Sequence, residues 1–234
     1  MPEQLDKAFD ALKTYEWGVD PKVIQPIDDA IITTHTDAAA RKDLEARLIA
    51  VLKTEVPHAA KDAVCRALKT IGTGASVPAL AALLPDEKLS HMARYALESI
   101  LAPEAGQALR EALPKVPAKL KIGIISSLGV RGEATSLAPL QALLTDSDAA
   151  VASAAAHALG RTGSLEAAKA LVTAKPSAAT KAAVADASLV CAETLLAAGK
   201  KPAAKITYEK LLASTPSKAV KEAATRGLQA CADK

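Results

Sequence analysis

Residues 151–163 read Val151-Ala152-Ser153-Ala154-Ala155-Ala156-His157-Ala158-Leu159-Gly160-Arg161-Thr162-Gly163, an alanine-rich stretch that closes on a leucine and a nearby glycine. The same ending occurs upstream as Ala67-Leu68, Ala96-Leu97 and Ser127-Leu128, with the four leucines 29, 31 and 31 residues apart. Four residues after each leucine stands Gly72, Leu101, Gly132 or Gly163; twelve after it stands Leu80, Leu109, Leu140 or Leu171. Agreement at two offsets in four registers marks an internal repeat, and a period of about 30 residues belongs to stacked-repeat architectures.

Each repeat reads as two helices. The glycine after the leucine supplies a left-handed residue, which ends a helix where a Cβ would be costly. The second unit has Leu101-Ala102-Pro103 in place of that glycine, so its turn is expected to differ. The next helix opens with proline in its first turn, as in Val77-Pro78-Ala79-Leu80 and Leu137-Ala138-Pro139-Leu140, where the missing N–H would be unpaired anyway. An acidic turn follows, Pro85-Asp86-Glu87 or Thr145-Asp146-Ser147-Asp148, whose carboxylates suit the N-terminus of the helix after it.

Composition agrees. Half of the 234 residues are hydrophobic while aromatics make up 2%. Alanine and leucine dominate, which favours closely approaching helices, and the aromatic residues that strands prefer are scarce. The fold class expected is all-α, a right-handed α-solenoid (superhelix) of antiparallel helix hairpins. The net charge of +3 is too mild to imply nucleic acid on its own. Charge is uneven along the chain: residues 1–50 carry ten acidic and six basic side chains, residues 200–234 three acidic and eight basic. Ordinary solvated helix faces account for this; head-to-tail contact between molecules is the sharper alternative. Cys65, Cys191 and Cys231 have no pair or metal-knuckle spacing, and Cys65 and Cys191 read as small core residues.

The stretch Leu140-Gln141-Ala142-Leu143-Leu144-Thr145-Asp146, with Val151 through Gly163, resembles the HEAT-like repeat of the phycobilisome-lyase type, and the match extends over residues 58–175. That resemblance implies a helical stack and says little of activity, since such repeats occur in lyases, hydroxylases and plain scaffolds. Lys61, Ser90, Lys121 and Ala152 stand where the family usually has arginine, so its Asp–Arg ladder is not expected intact. The whole chain is also similar to HEAT-repeat regions of large multi-domain bacterial proteins, many of them exported, which implies further domains of the same polypeptide. Toward the C-terminus Ala192, Gly199, Ala204, Tyr208, Leu211 and Pro216 keep the spacing of a tetratricopeptide hairpin, although Ser188 replaces its bulky aromatic. Residues 217–232 are expected to form a last helix.

The N-terminal part is less regular, with helices expected at about 3–15, 20–34 and 37–54. Asp20 caps a helix with Pro21 at its first position, and Trp17 is expected to pack over the exposed end of the core. The organisation expected is a single domain over 1–234: capping helices in 1–55, four HEAT-like repeats in 56–175, and a tetratricopeptide-like hairpin with a C-terminal cap in 176–234. The first residues show no export signal and no window is apolar enough for a membrane span. A cytoplasmic location is the default, with an exported one if this is a segment of a longer protein.

Function must come from surface rows. Alignment on the leucines makes Arg66, Tyr95, Ser126 and His157 equivalent, and Asp62, His91, Ile122 and Ser153 equivalent four residues earlier. Positions i and i+4 share a helix face. In HEAT-type stacks these helices line the concave side, so Asp62, Arg66, His91, Tyr95, Ser126, Ser153 and His157 form a candidate strip for a protein or peptide partner; Arg and Tyr are frequent binding anchors. No catalytic residue is assigned. His35, His58, His91 and His157 are scattered, no His-Glu dipeptide or His-x3-His pair occurs, and neither a metal nor a cofactor is expected. Nucleophile-elbow, P-loop and dinucleotide motifs are missing. A DNA glycosylase of this fold would want a basic, aromatic groove, and a phycobilin lyase an aromatic one. The reading is a non-catalytic interaction scaffold, with a structural spacer of a larger exported protein as the alternative and a nucleic-acid-binding or HEAT-fold enzyme role third.

Overall fold

A computed structural model describes residues 2–214 and 216–232. Met1, Asp233 and Lys234, the ends of the expected 1–234 domain, and Thr215 lie outside the described residues. All regular structure among the described residues is helical, and it packs as two compact units, Met1–Val116 and Pro117–Lys234. The division falls inside the block expected to hold four consecutive repeats.

The first unit contains α1 (Pro2–Ala11), α2 (Gln25–Thr33), α3 (Ala38–Leu52), α4 (His58–Ile71), α5 (Val77–Ala81), α6 (Ser90–Ser99) and α7 (Pro103–Ala112). Helices α4 and α6 pack side by side, as do α5 and α7, giving two layers. The apolar positions dictate this. In α4, Ala60, Val64, Ala67, Leu68 and Ile71 recur at helical spacing and are all buried. The short helix α5 has Pro78 in its first turn, as its sequence predicts. Asp37 caps α3 through the N–H groups of Ala39 and Ala40, both at 3.0 Å. Asp20 accepts from Lys22 N and is followed by Pro21, although the helix it opens is a single 3-10 turn before α2 begins.

One buried carboxylate ties this unit together. Glu45 of α3 is 5% exposed and accepts from Thr73 N at 2.7 Å, Thr73 Oγ1 at 3.0 Å and Ser76 Oγ at 2.5 Å. Those donors lie in the α4–α5 turn, so α3 is fixed to the turn of the next hairpin by charge-assisted bonds. Arg41, one helical turn earlier, donates to the carbonyls of Ile31 and Thr70.

The second unit contains α8 (Ala118–Arg131), α9 (Leu137–Ala142), α10 (Ala149–Thr162), α11 (Leu165–Thr173), α12 (Lys181–Ala197), α13 (Lys201–Ala213) and α14 (Lys218–Ala232). Here α8, α10 and α12 pack in sequence and α9, α11 and α13 form the second layer, an α-solenoid stack of hairpins. Close approach is permitted by small residues. A Cβ on Gly129 would lie 2.8 Å from Ala158 Cα, and one on Gly160 would lie 2.6 Å from the Ala187 carbonyl oxygen. Helix endings follow the sequence in two of three cases: Gly132 and Gly163 are left-handed, with φ of 61° and 55°. Gly72 departs from expectation, leaving α4 in an extended conformation at φ −61° and ψ 141°. Its need for glycine is crowding, since a Cβ there would strike the Leu68 carbonyl oxygen. The glycine-free second ending does differ: Ile100 turns extended and Leu101 is left 96% exposed.

The acidic turns behave as caps. Asp148 accepts from Ala150 N and Val151 N at the start of α10, and Asp86 from Lys88 N and Leu89 N before α6. One rung of a charge ladder survives in altered form, with Lys121 Nζ 3.9 Å from Asp146 Oδ2. Cys65 and Cys191 are buried, as their apolar surroundings predict.

Candidate functional site

The leucine-ended helices of both units turn their large apolar residues inward, and what remains outside is the predicted strip. In the first unit it is a connected surface. Arg66 donates from Nε to Asp62 Oδ2 at 2.8 Å, an i,i+4 pair in which the Asp62 side chain is largely covered and the Arg66 side chain largely open. The hydrogen bond to Asp62 is the chief reason the Arg66 guanidinium pKa lies above its ordinary value, and Tyr95 adds to the same effect. Tyr95, on the neighbouring helix, is 36% exposed and accepts from Lys69 Nζ at 2.6 Å, and that ammonium stands 3.8 Å from the ring centroid. Lys69 thus joins α4 to α6 at Tyr95, and Arg66 on the same helix as Lys69 is near enough for Tyr95 to act on its charge. His91 is also exposed and its Nδ1 lies 3.4 Å from the Arg94 guanidinium.

In the second unit Ser126 on α8 and His157 on α10 are exposed and Ser153 is half-buried. Helices α8 and α10 pack directly, so these residues share one layer of their unit. They carry hydroxyls and an imidazole and no fixed charge comparable to the Asp62–Arg66 pair.

Nothing in the sequence marks Lys69. It lies three residues beyond Arg66, and only the packing of α4 on α6 brings it to Tyr95. Trp17 departs from expectation. It does not cover the core end but is 68% exposed, at the rim of a cleft of about 240 Å³. The cleft is lined by Tyr15, Trp17 and Asp28 from the N-terminal segments and by Asp62 and Arg66 from α4, over an apolar floor that includes Ile27 and Leu48. The local reason is visible in Trp17-Gly18-Val19-Asp20-Pro21: Gly18 takes φ 95° and residues 16–21 are all exposed, so the turn holds the indole at the surface. A tryptophan in such a turn was the available signal.

Among the described residues no group of three or more His, Cys, Asp or Glu side chains is arranged to hold a metal ion. Among the same residues no helix is long and apolar enough to cross a membrane.

Residues 106–188 match a protein family described as HEAT repeats. The matched segment spans α8, α9, α10 and α11 and most of α7 and ends in α12, so HEAT repeats are present where the Leu128 and Leu159 registers place them. No curated protein matches the chain. Among solved structures, that of human deoxyhypusine hydroxylase in complex with glycerol is similar at 16% identity and a TM-score of 0.39, over 99% of this chain and 97% of that one.

Proposed function

We propose that this protein is a non-catalytic interaction scaffold that holds a protein or peptide segment on the exposed rows of its leucine-ended helices. The observation that carries the reading is the Asp62–Arg66 and Lys69–Tyr95 surface, an arginine and a tyrosine presented side by side on two packed helices. Tyrosine offers a large rigid face and arginine a planar set of donors, the combination found at the energetic centre of protein interfaces. HEAT repeats commonly serve such a purpose, which supports the assignment. The repeats are read as the phycobilisome-lyase type and the α12–α13 hairpin as tetratricopeptide-like. Burial of Ala192, Ala204, Tyr208 and Leu211 supports the second point, because these are positions that hairpin packs inward.

The test is a peptide library displayed on phage and selected on the immobilised protein. Selected peptides should bind the wild type and lose affinity by about tenfold or more for Arg66→Ala and Tyr95→Ala, a loss of about 1.4 kcal/mol each, with thermal midpoints unchanged. Selected peptides that bind both variants as tightly as the wild type would remove this row from consideration, and a library that yields no enriched sequence would remove the scaffold reading itself.

A further inference from the structure

The cleft beneath Trp17 has a composition that the scaffold reading does not use. Its floor is apolar, with Leu12, Ile27 and Leu48 contributing. Its walls hold the only tryptophan of the chain and a tyrosine. Two carboxylates face it. Asp62 is bonded to Arg66 and so carries its counter-charge already. Asp28 is different: it has no hydrogen bond or ion pair among the described residues. Partial burial, and then the neighbouring Asp29, raise its carboxyl pKa above the ordinary 3.8. Asp28 is open to solvent and unpaired on the same cleft as Trp17, where a cation could meet both the carboxylate and the ring face.

At about 240 Å³ the cleft is smaller than the 300–1,000 Å³ usual for drug-sized ligands, so it suits one side chain. Apolar floor, aromatic wall and terminal carboxylate describe the complement of an aliphatic stem with a cationic tip. A second hollow that Trp17 also lines contains Glu16 and Asp62 together with Lys88 and His58, so there the carboxylates already face a lysine. We infer that this cleft receives a lysine or arginine side chain of the bound partner segment, its stem over Ile27 and Leu48, its charge against Asp28 and its flank on Trp17. This rests on the scaffold reading and names the chemistry that the partner must carry.

Because Trp17 is the sole tryptophan, its fluorescence reads the cleft directly. Blocked pentapeptides with arginine, lysine, citrulline or norleucine between glycines are titrated into the full chain. The arginine or the lysine peptide should give a saturable change in emission, with the better of the two identifying the tip. Citrulline, which keeps the shape of arginine and loses its charge, should bind about tenfold more weakly, and norleucine weaker still. Asp28→Asn should weaken the cationic peptide by about tenfold at an unchanged thermal midpoint, while Asp43→Asn, which lines a different hollow, should leave it unaltered. Trp17→Ala, followed by calorimetry, should also lose binding. Equal binding of citrulline and arginine, or no effect of Asp28→Asn, overturns the inference. An emission change produced by raising the protein concentration alone, and abolished by Asp28→Asn, would make a second copy of this chain the occupant and overturn the assignment to a separate partner. If the cationic peptides leave Trp17 unmoved while library-selected peptides still depend on Arg66 and Tyr95, the cleft assignment falls and the scaffold reading stands; if both fail, both fall.

Discussion

Gly160→Ala offers a sharp check on how the repeats stack, because helix propensity and packing predict opposite signs. Within an exposed helix the change would stabilise by about 1 kcal/mol. In α10, however, the new Cβ would stand 2.6 Å from the Ala187 carbonyl oxygen, 3.0 Å from its Cα and 3.2 Å from its carbonyl carbon. Carbon contacts are comfortable at about 3.5–4.0 Å, so α10 and α12 would have to part by roughly 0.5–1 Å. All three blocking atoms are backbone, and no rotamer change relieves them. Overpacking costs about 1–3 kcal/mol, here toward the upper end, and the net after propensity is a loss of about 1–2 kcal/mol. If Pro117–Lys234 unfolds as one block, that corresponds to a fall of about 4–8 °C in its thermal midpoint. Circular dichroism at 222 nm, a band chosen for its helical signal, should show the fall, and urea titration should show a lower midpoint at an unchanged m-value. Gly129→Ala should behave alike, with one difference. Its nearest atoms include the Ala158 Cβ at 2.9 Å, so Ala158→Gly should restore part of the loss, whereas truncation of Ala187 should do little for Gly160→Ala. A midpoint that stays put or rises in Gly160→Ala would refute the close approach of α10 to α12.

Four further outcomes follow from buried groups. Tyr208→Phe should leave stability unchanged or raise it by about 1 kcal/mol, because the Tyr208 hydroxyl is buried without a hydrogen-bond partner among the described residues; a loss above about 1 kcal/mol on urea titration would expose a partner. Glu45→Ala should cost about 2 kcal/mol or more by thermal melting, since it strands Thr73 and Ser76 donors that now meet a charge; a cost under about 0.5 kcal/mol would mean that the carboxylate does not anchor the α4–α5 turn. Burial pushes the thiol of Cys65 up to about 12 and that of Cys191 up to about 11, from 9.0. Native protein at neutral pH should therefore give one thiol, Cys231, to an aromatic disulfide reagent, and three only after unfolding. The same shifts set an alkaline limit. The folded state keeps these protons where the unfolded chain releases them, so their stabilising effect is complete below pH 9 and is lost as pH rises from there toward 12; a thermal midpoint flat across pH 9–11 would contradict this.

What the sequence made legible was everything periodic. Leu68, Leu97, Leu128 and Leu159 are each fully buried, at the register that the repeat assigned them. A repeat spacing is a statement about neighbours, and the hydrophobic requirement at each neighbouring position is the same. The local chemistry of ends was nearly as readable, since Asp37, Asp148, Gly132 and Gly163 act on atoms only a few residues away. Gly72 shows the limit of that logic. One residue type can meet two needs, a positive φ or a missing Cβ, and the sequence does not say which.

The candidate site was legible only where it shares the repeat. Arg66 with Asp62 follows from i,i+4 spacing, whereas Lys69 reaches Tyr95 through packing of two helices, and nothing in the order of residues marks it. The cleft is a harder case again. Trp17 and Asp28 belong to the irregular N-terminal segments, Asp62 and Arg66 to the first regular hairpin, and no period relates them. This has a physical basis. A stack of equivalent hairpins presents equivalent rows, so a concavity with its own composition arises where the repetition stops and a non-repeating segment lies against the first repeat. In this protein the place where sequence periodicity gives out is therefore also the place where a side-chain-sized cleft with an uncompensated carboxylate can form.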